Sequence, residues 1–297
     1  MSLSKQILSV VIVSFKSDKV IDKCIESIPE SIDIIVVDNS NSKIFKDNLE
    51  KKYKNVKCIL SPENLGMGAG NNLGLKYINT DYAFILNPDL ILHTDAINQI
   101  INELKKNNSF GIMAPLSDNF EYPNYKIDKQ ALNYTNNDNL FSVKSIDGYA
   151  MVLNLKKLNQ IFNNKENNCF DENFFMYLEN DDLCKRIIDK GEKIFILRKS
   201  KVKHLGAKAV DPKYKHEVEL SRNWHWMWSK FYYNKKHYGY ITALINGFPN
   251  FGSAIFKFII YSIIKNKFKK DIYLHRIQGY LNALFGKKSF YRPKIKD

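Results

Sequence analysis

The stretch Asp81-Tyr-Ala-Phe-Ile-Leu-Asn-Pro-Asp89 decides the fold. Tyr82 to Leu86 form a short apolar run with aromatic residues, the right length for a buried strand. Asn87-Pro88-Asp89 stops that run. Pro88 cannot donate a ladder hydrogen bond, and it biases Asn87 towards an extended shape. Asp89 is then presented just past the carboxyl end of a parallel strand, where open α/β sheets hold their ligands. A carboxylate there can ligate a hard divalent cation, and the cation can hold a diphosphate. The same residues also read as a strand and a turn, with Asp89 capping a helix that starts near Thr94.

Strands and helices alternate around this stretch. Leu8 to Phe15 (LSVVIVSF) is β-branched and continuously apolar, as in a central parallel strand. Val20, Ile21, Cys24, Ile25 and Ile28 share a helical face that Pro29 ends. Ile32 to Val37 is a second buried strand, closing on Asp38-Asn39-Ser40-Asn41-Ser42. That polar tip is either a turn or a set of groups suited to a nucleobase or ribose. A helix over 42–53 and a strand over 56–60 come next. Gly66, Gly68, Gly70 and Gly74 then lie between this strand and a helix ending near Tyr77. Glycine admits close backbone approach or positive φ, so the run serves either a ligand or tight helix packing. It is not a dinucleotide fingerprint, because it comes after the third strand, nor a P-loop, because no Gly-Lys-Ser/Thr succeeds it. A helix over 94–106 and a strand over 110–115 complete a doubly wound pattern with polar tips at strand ends.

The chain has 297 residues, enough for one large or two modest domains. Hydrophobic residues at 44% and charged residues at 26% exclude a disordered chain. The net charge of +14 suits nucleic acid, anionic lipid or phosphorylated substrates without choosing among them. Cys24, Cys58, Cys169 and Cys184 form no C-x-x-C pair, which argues against a zinc site or disulfide framework and fits a reducing cytosol. The N-terminal apolar run is too short for a signal peptide and lacks a small-residue cleavage site.

The second half is less periodic. Residues 116–142 read as a flexible, substrate-facing segment. Ile146 to Leu153 reads as a strand with Gly148 at a close approach or bulge. In FDENFFMYLENDD, 170–182, five acids and several aromatics precede a helix through Leu183, Ile187 and Ile188. Acids in a first turn suit the macrodipole, while an aromatic wall would raise one carboxylate towards a useful general base. A strand over 193–197 and the string KVKHLG, 201–206, come after this. Residues 217–237 read as a helix with more aromatic residues than one core stripe can hold. The stretch 240–268 is apolar, but Asn246, Pro249, Asn250 and Lys257 argue against a clean spanning helix. Lys265, Lys267, Lys269 and Lys270 come next, and the combination reads either as a helix on an anionic membrane surface or as a dimerising or core helical pair.

The strings VVIVSFKS, IIVVDNSNS, NLGMGAGNNLG, YAFILNPD, DGYAMVLN, FDENFFMYLENDDLCKR and KHLGAKA, in this order over roughly residues 8–240, resemble the family-2 glycosyltransferases, particularly rhamnosyltransferase-like bacterial members. The resemblance implies an α/β GT-A fold, a Rossmann-like mostly parallel sheet flanked by helices; the C-terminal helical extension, read from its own residues, is expected to associate with a membrane or, alternatively, to dimerise or pack as a helical pair. Residues 1–115 would form the nucleotide-sugar half, 116–215 the acceptor half and 216–297 the helical region. It implies nucleotide binding by Ser14, Asp38, Asn64, Gly66, Asn71 and Asn87, and donor or acceptor contacts by Asp147, Gly148 and Arg222; Asp147 reads equally as part of a bulged structural strand, and Arg222 as a salt-bridge residue. Asp89 and His204 would hold Mg2+ or Mn2+. Asn87 stands where the family's metal motif often has its first acid. The family's E-D-x-D motif here carries Asn180, which cannot accept a proton, so the catalytic acids are Glu179, then Asp181, with Asp182 as an orienting group. Residues 207–211 would move over the donor.

The implied reaction is inverting transfer of a sugar from a nucleotide diphosphate donor, dTDP-L-rhamnose favoured, to a glycan or lipid-linked acceptor. It belongs at the inner face of the bacterial cell membrane, in surface polysaccharide assembly, with no nucleic acid as partner and with a homodimer as one arrangement. A nucleotidyltransferase would share the sheet but should carry a glycine-rich basic loop after the first strand, which FKSDK, 15–19, lacks. A nucleic-acid-binding protein would explain the charge and should show a steep salt dependence.

Overall fold

The computed structural model describes residues 6–106, 109–119, 121–127, 139–164, 166–206, 210–293 and 295. The chain separates into two compact units, one drawn from 1–65, 69–170 and 180–210, the other from 66–68, 171–179 and 211–297. The first unit joins the two halves expected from the sequence to divide at 115, and the second takes in the expected helical region together with 66–68, 171–179 and 211–215. The expected movement over 207–211 falls largely on residues outside the described ones.

The first unit is built on a sheet ordered β3-β2-β1-β4-β10-β6-β11-β5, with β8 paired to β11. Its strands are β1 (Leu8–Ser14), β2 (Ile34–Asp38), β3 (Val56–Leu60), β4 (Tyr82–Leu86), β5 (Leu90–Leu92), β6 (Ile112–Ser117), β8 (Leu140–Ser142), β10 (Ala150–Asn154) and β11 (Ile194–His204). β7 (Tyr125–Lys126) and β9 (Ser145–Ile146) form a separate antiparallel pair. Strands β1, β2, β3, β4, β6 and β11 run one way; β5, β8 and β10 run the other. The sheet is mostly parallel, as the unbroken apolar runs require: β1, β2, β4 and β10 are buried along their whole lengths.

Helices α1 (Ile21–Glu26), α2 (Lys43–Lys52), α3 (Gly66–Leu75), α4 (Ala96–Lys106), α5 (Leu155–Phe162) and α6 (Glu179–Asp189) accompany these strands. The expected glycine loop is helical: all four glycines lie within α3. β10 was expected as a strand but lies antiparallel between β4 and β6. β5 and the part of β11 beyond Leu197 were not expected from the sequence. Nor were β7 and β8, which occupy part of the segment expected to be flexible.

The second unit carries a one-turn helix at Pro212–Tyr214, then α7 (Lys215–Tyr238), α8 (Tyr240–Ile263) and α9 (Lys267–Leu284). Its core is Trp224, Met227, Trp228 and Phe231 of α7 against Ala243 of α8 and Tyr280 and Ala283 of α9. The α7 and α9 backbones come so close that a Cβ on Gly279 would sit 2.1 Å from the Trp224 carbonyl oxygen. α8 corrects one expectation. It runs unbroken through Pro249 and, by length and composition, is one helix able to cross a membrane.

Candidate active site

The parallel strands bring their carboxyl ends to one edge of the first unit. Strand β1 pairs with β2 so that Ser14 lies beside Asp38, and with β4 so that Ile12 lies beside Leu86, the residue before Asn87. Asp38 is buried; it accepts hydrogen bonds from the Ser40 amide at 3.0 Å and the Ser42 amide at 2.8 Å. Burial still raises its pKa, against these donors. The Ser14 hydroxyl and the Asn87 side-chain oxygen are buried with no hydrogen-bond partner among the described residues. Buried polar atoms at a sheet edge that want partners are what a ligand site offers.

Two antiparallel ladders fix the chain beyond Asn87. The Asn87 amide donates to the Tyr149 carbonyl at 2.9 Å, and the Leu205 amide donates to the Asp89 carbonyl at 3.0 Å. β5 pairs Leu90 with His204. His204 Nε2 consequently lies 3.3 Å from Asp89 Oδ2, with Asp89 buried and His204 reaching solvent. The Tyr149 ring stacks on the His204 ring at 4.6 Å between centroids. The residues expected to hold a metal are thus brought together by a strand pairing that the sequence did not announce.

The acids of α6 separate by role. Asp182 is fully buried, and its Oδ2 accepts from Arg186 Nε at 2.8 Å, while Arg186 Nη2 donates to the Cys169 carbonyl at 2.6 Å. That pairing ties Asp182 to the framework through Arg186, in keeping with the orienting role expected of it. Asn180 donates its side-chain amide to the Ile146 carbonyl at 2.8 Å, and its Cβ would lie 3.0 Å from a Cβ on Gly148. A side chain at Gly148 would therefore crowd Asn180. Asp181 is mostly buried; its Oδ1 accepts from Lys126 Nζ at 2.8 Å, and its Oδ2 has no partner among the described residues. Glu179 is buried and belongs to the second unit.

Asp147 reaches solvent, yet desolvation by the surrounding protein raises its pKa. The Asp181 charge adds to this, and Lys126 and His204 oppose it. That shift places Asp147, Asp181, Lys126 and His204 in one electrostatic neighbourhood. Asn124 braces it from below: it bonds Ser117 and Pro115 with its side chain and accepts the Asp147 amide with its carbonyl.

The glycines and asparagines of α3 divide differently from expectation. A Cβ on Gly70 would meet Val13 Cγ1 at 2.9 Å, and one on Gly74 would meet Val11 Cγ1 at 2.5 Å, so these glycines seat the helix on β1. At Gly66 both the positive φ of +78° and the Phe175 carbonyl oxygen, 2.1 Å from a would-be Cβ, require glycine. Asn71 is buried with an unpartnered side-chain oxygen, as a ligand-facing role needs, and Asn64 is only half-buried. Arg222 lies in the second unit, paired with Glu219 Oε1 at 2.9 Å. Sequence reasoning missed Tyr149 and Lys126. Tyr149 sits inside the string DGYAMVLN, whereas nothing marked Lys126.

No group of three His, Cys, Asp or Glu side chains able to hold a metal occurs among the described residues. Asp89 with His204 is a two-ligand set. It fits a cation that keeps waters and takes its other ligands from substrate phosphates, and does not fit a resident structural metal.

This sheet and site define a GT-A-like nucleotide-sugar fold. The crystal structure of GalNAc-T7 with UDP, GalNAc and Mn2+ superposes with a TM-score of 0.57 at 14% identity, covering 79% of this chain and 52% of that one. The mannosyltransferase PcManGT from Pyrobaculum calidifontis, in complex with GDP-Man and Mn2+, gives 0.55 at 11% identity, covering 96% and 89%. Residues 9–206 match glycosyl transferase family 2, and the chain belongs to that family. It is 29% identical over 112 residues to the low-salt glycan biosynthesis hexosyltransferase Agl10 of Haloferax volcanii, and the match spans 36% of the length of each chain.

Proposed function

We propose that this protein is an inverting hexosyltransferase that moves a sugar from a nucleotide diphosphate donor to a hydroxyl of a glycan or lipid-linked acceptor. The observation that carries the reading is the Asp89–His204 pair at the carboxyl edge of the sheet, 3.3 Å apart, inside the span shared with the family. Asp38, Ser14, Asn71 and Asn87 bind the nucleoside along that edge. Asp89 and His204 would hold a divalent cation, Mg2+ or Mn2+, which when bound would supply Lewis-acid stabilisation of the departing diphosphate. Tyr149 fixes the His204 ring by stacking.

Asp181 acts as the general base. It shares a unit with Asp89 and His204, and its Oδ2 is open while Lys126 steadies Oδ1. The acceptor oxygen attacks the anomeric carbon, the carbon–oxygen bond to the diphosphate breaks, and the acceptor proton passes to the Asp181 carboxylate. Among donors the sequence resemblance puts dTDP-L-rhamnose first. Surface polysaccharide assembly on the cytoplasmic face of a membrane, with α8 lying on the lipid, is the setting this reading favours.

The test is a donor panel, dTDP-rhamnose, UDP-sugars and GDP-mannose, with and without Mg2+ or Mn2+, scored by nucleotide release and thermal shift. Asp89→Ala is expected to abolish release and the cation-dependent part of nucleotide binding. Asp181→Asn is expected to slow transfer by about 100-fold or more, with Glu179→Gln much milder. Full turnover in Asp89→Ala would refute the metal assignment; full turnover in Asp181→Asn would move the base elsewhere.

A further inference from the structure

The second unit contains a cavity of about 300 Å³ lined by Tyr177, Glu219, Arg222, Asn223, Trp226 and Arg276. Its walls come from the 171–179 segment, α7 and α9. Hydrogen bonds within the lining hold the polar groups in place. Arg222 Nη1 donates to Glu219 Oε1 at 2.9 Å, and Asn223 donates its side-chain amide to the Glu219 carbonyl at 2.8 Å. Asn223 Oδ1 in turn accepts from Arg276 Nε at 2.8 Å.

These bonds leave several donors over. Both terminal amino groups of Arg276 lack a hydrogen-bond or ion-pair partner among the described residues, while Nε anchors the plane of the guanidinium. The Tyr177 hydroxyl and the Trp226 indole N–H also lack partners among the described residues; the two rings meet edge to face at 5.5 Å. Tyr177 adopts φ +70° and Leu178 φ +67°, a left-handed conformation that bulky residues rarely accept without a functional reason. Burial raises the Tyr177 pKa, so its hydroxyl remains a donor at neutral pH. The lining therefore offers several open donors and two guanidiniums against one carboxylate, which is already engaged. A guanidinium fork matches the oxygens of a phosphate, and an aromatic pair suits the apolar face of a sugar. Five of the six lining residues lie outside the span shared with the family, which sets the cavity apart from the common donor-binding sheet.

We propose that this cavity binds the phosphate of a phosphorylated sugar acceptor. The oxyanion binding stands by itself; that the ligand is an acceptor rests on the proposed glycosyltransferase function. The phosphate could belong to a polyprenyl diphosphate carrier or to a soluble sugar phosphate, and the probes separate these sources.

The test is calorimetric titration of the full chain, without divalent cation, with inorganic pyrophosphate, farnesyl diphosphate in detergent and glucose 1-phosphate. At least one probe should bind saturably. Arg276→Gln should weaken it about tenfold or more, and Tyr177→Phe, which removes only a hydroxyl, should weaken it several-fold with an unchanged melting profile. Asp89→Ala should bind the probe as the wild type does, and Arg276→Gln should still release nucleotide from donor alone. Tighter binding of farnesyl diphosphate assigns a lipid carrier, and tighter binding of glucose 1-phosphate a soluble acceptor; either supports the site. Absence of saturable binding by all three probes, unchanged affinity in Arg276→Gln, or loss of binding in Asp89→Ala overturns it. Failure of donor turnover with probe binding intact would sink only the glycosyltransferase reading.

Discussion

Burial decides the charge of His225. Its side chain is inaccessible to solvent, Nε2 donates to the Tyr291 carbonyl at 2.8 Å, and Nδ1 then accepts from the Ser289 hydroxyl at 3.1 Å. Burial, with the nearby Arg292 charge, pushes its pKa down to about 3. An unfolded chain would hold the same proton up to about 6.5. Between those values the unfolded state binds more protons, so the contribution of neutral His225 is complete above the unfolded value and is lost as pH falls towards 3. Denaturant midpoints followed by tryptophan fluorescence should fall on acidification from about pH 6.5. His225→Gln, whose amide can still donate to Tyr291, should flatten that acid limb. An identical acid limb in the variant would show that other groups control it. At this scale the sequence spoke clearly where chemistry is local: Asp38 and Asp89 stood at strand ends, whereas His204 lay past the strand expected over 193–197 and was singled out by the family resemblance. It said nothing of Lys126, because an exposed lysine carries no pattern until a strand pairing places it against Asp181.

At the scale of elements, the same substitution should act with opposite sign in two helices. A Cβ on Gly74 of α3 would press on Val11 Cγ1 at 2.5 Å and Val37 Cγ2 at 3.2 Å, and both valines belong to buried central strands. Neither can yield without moving the sheet, so Gly74→Ala is expected to cost about 1–3 kcal/mol by overpacking. Gly252 of α8 has nothing within 4 Å of its would-be Cβ and no positive φ. Gly252→Ala should stabilise by about 0.4–1 kcal/mol, by reducing the freedom of the unfolded chain. Chemical denaturation of both variants checks the pair, and a stabilising Gly74→Ala would remove the packing account of the glycine run. Buried strands were legible because β1, β2 and β4 are built on unbroken apolar runs, 10–13, 34–37 and 82–86. β5 was not, since three residues beyond a proline carry no period. The outer part of β11 was missed because exposed lysines and Arg198 interrupt it. Asn246, Pro249, Asn250 and Lys257 argued against a clean spanning helix, yet α8 continues through Pro249, which removes only one helical hydrogen bond, with Ala243, Gly247 and Ala254 buried on either side of it.

At the scale of the whole molecule, the net charge of +14 and the apolar face of α8 act together. Ile241, Ile245, Phe248, Phe256, Ile259 and Ile263 are at least half exposed and recur at helical spacing, while the small residues Ala243, Gly247 and Ala254 are buried. The one charged side chain in α8 is Lys257, and exposed Lys265, Lys267 and Lys269 lie just past its end. An apolar stripe beside lysines has the form of a helix that lies in a lipid interface and is drawn there by anionic headgroups. The protein should float with vesicles of phosphatidylglycerol and phosphatidylcholine, weakly or not at all with phosphatidylcholine alone, and less at high salt. Each lysine near the surface is worth about 1 kcal/mol, so replacing Lys265, Lys267 and Lys269 with glutamine should lower binding about 100-fold. Phe256→Asp should abolish flotation even at low salt, because it removes apolar contact and adds a charge that the interface rejects. Light scattering decides between lipid and a second copy of the chain as the cover of this face. A concentration-independent dimer, dissociated by Phe256→Asp and indifferent to anionic vesicles, would assign the stripe to self-association and remove the membrane from the proposed function.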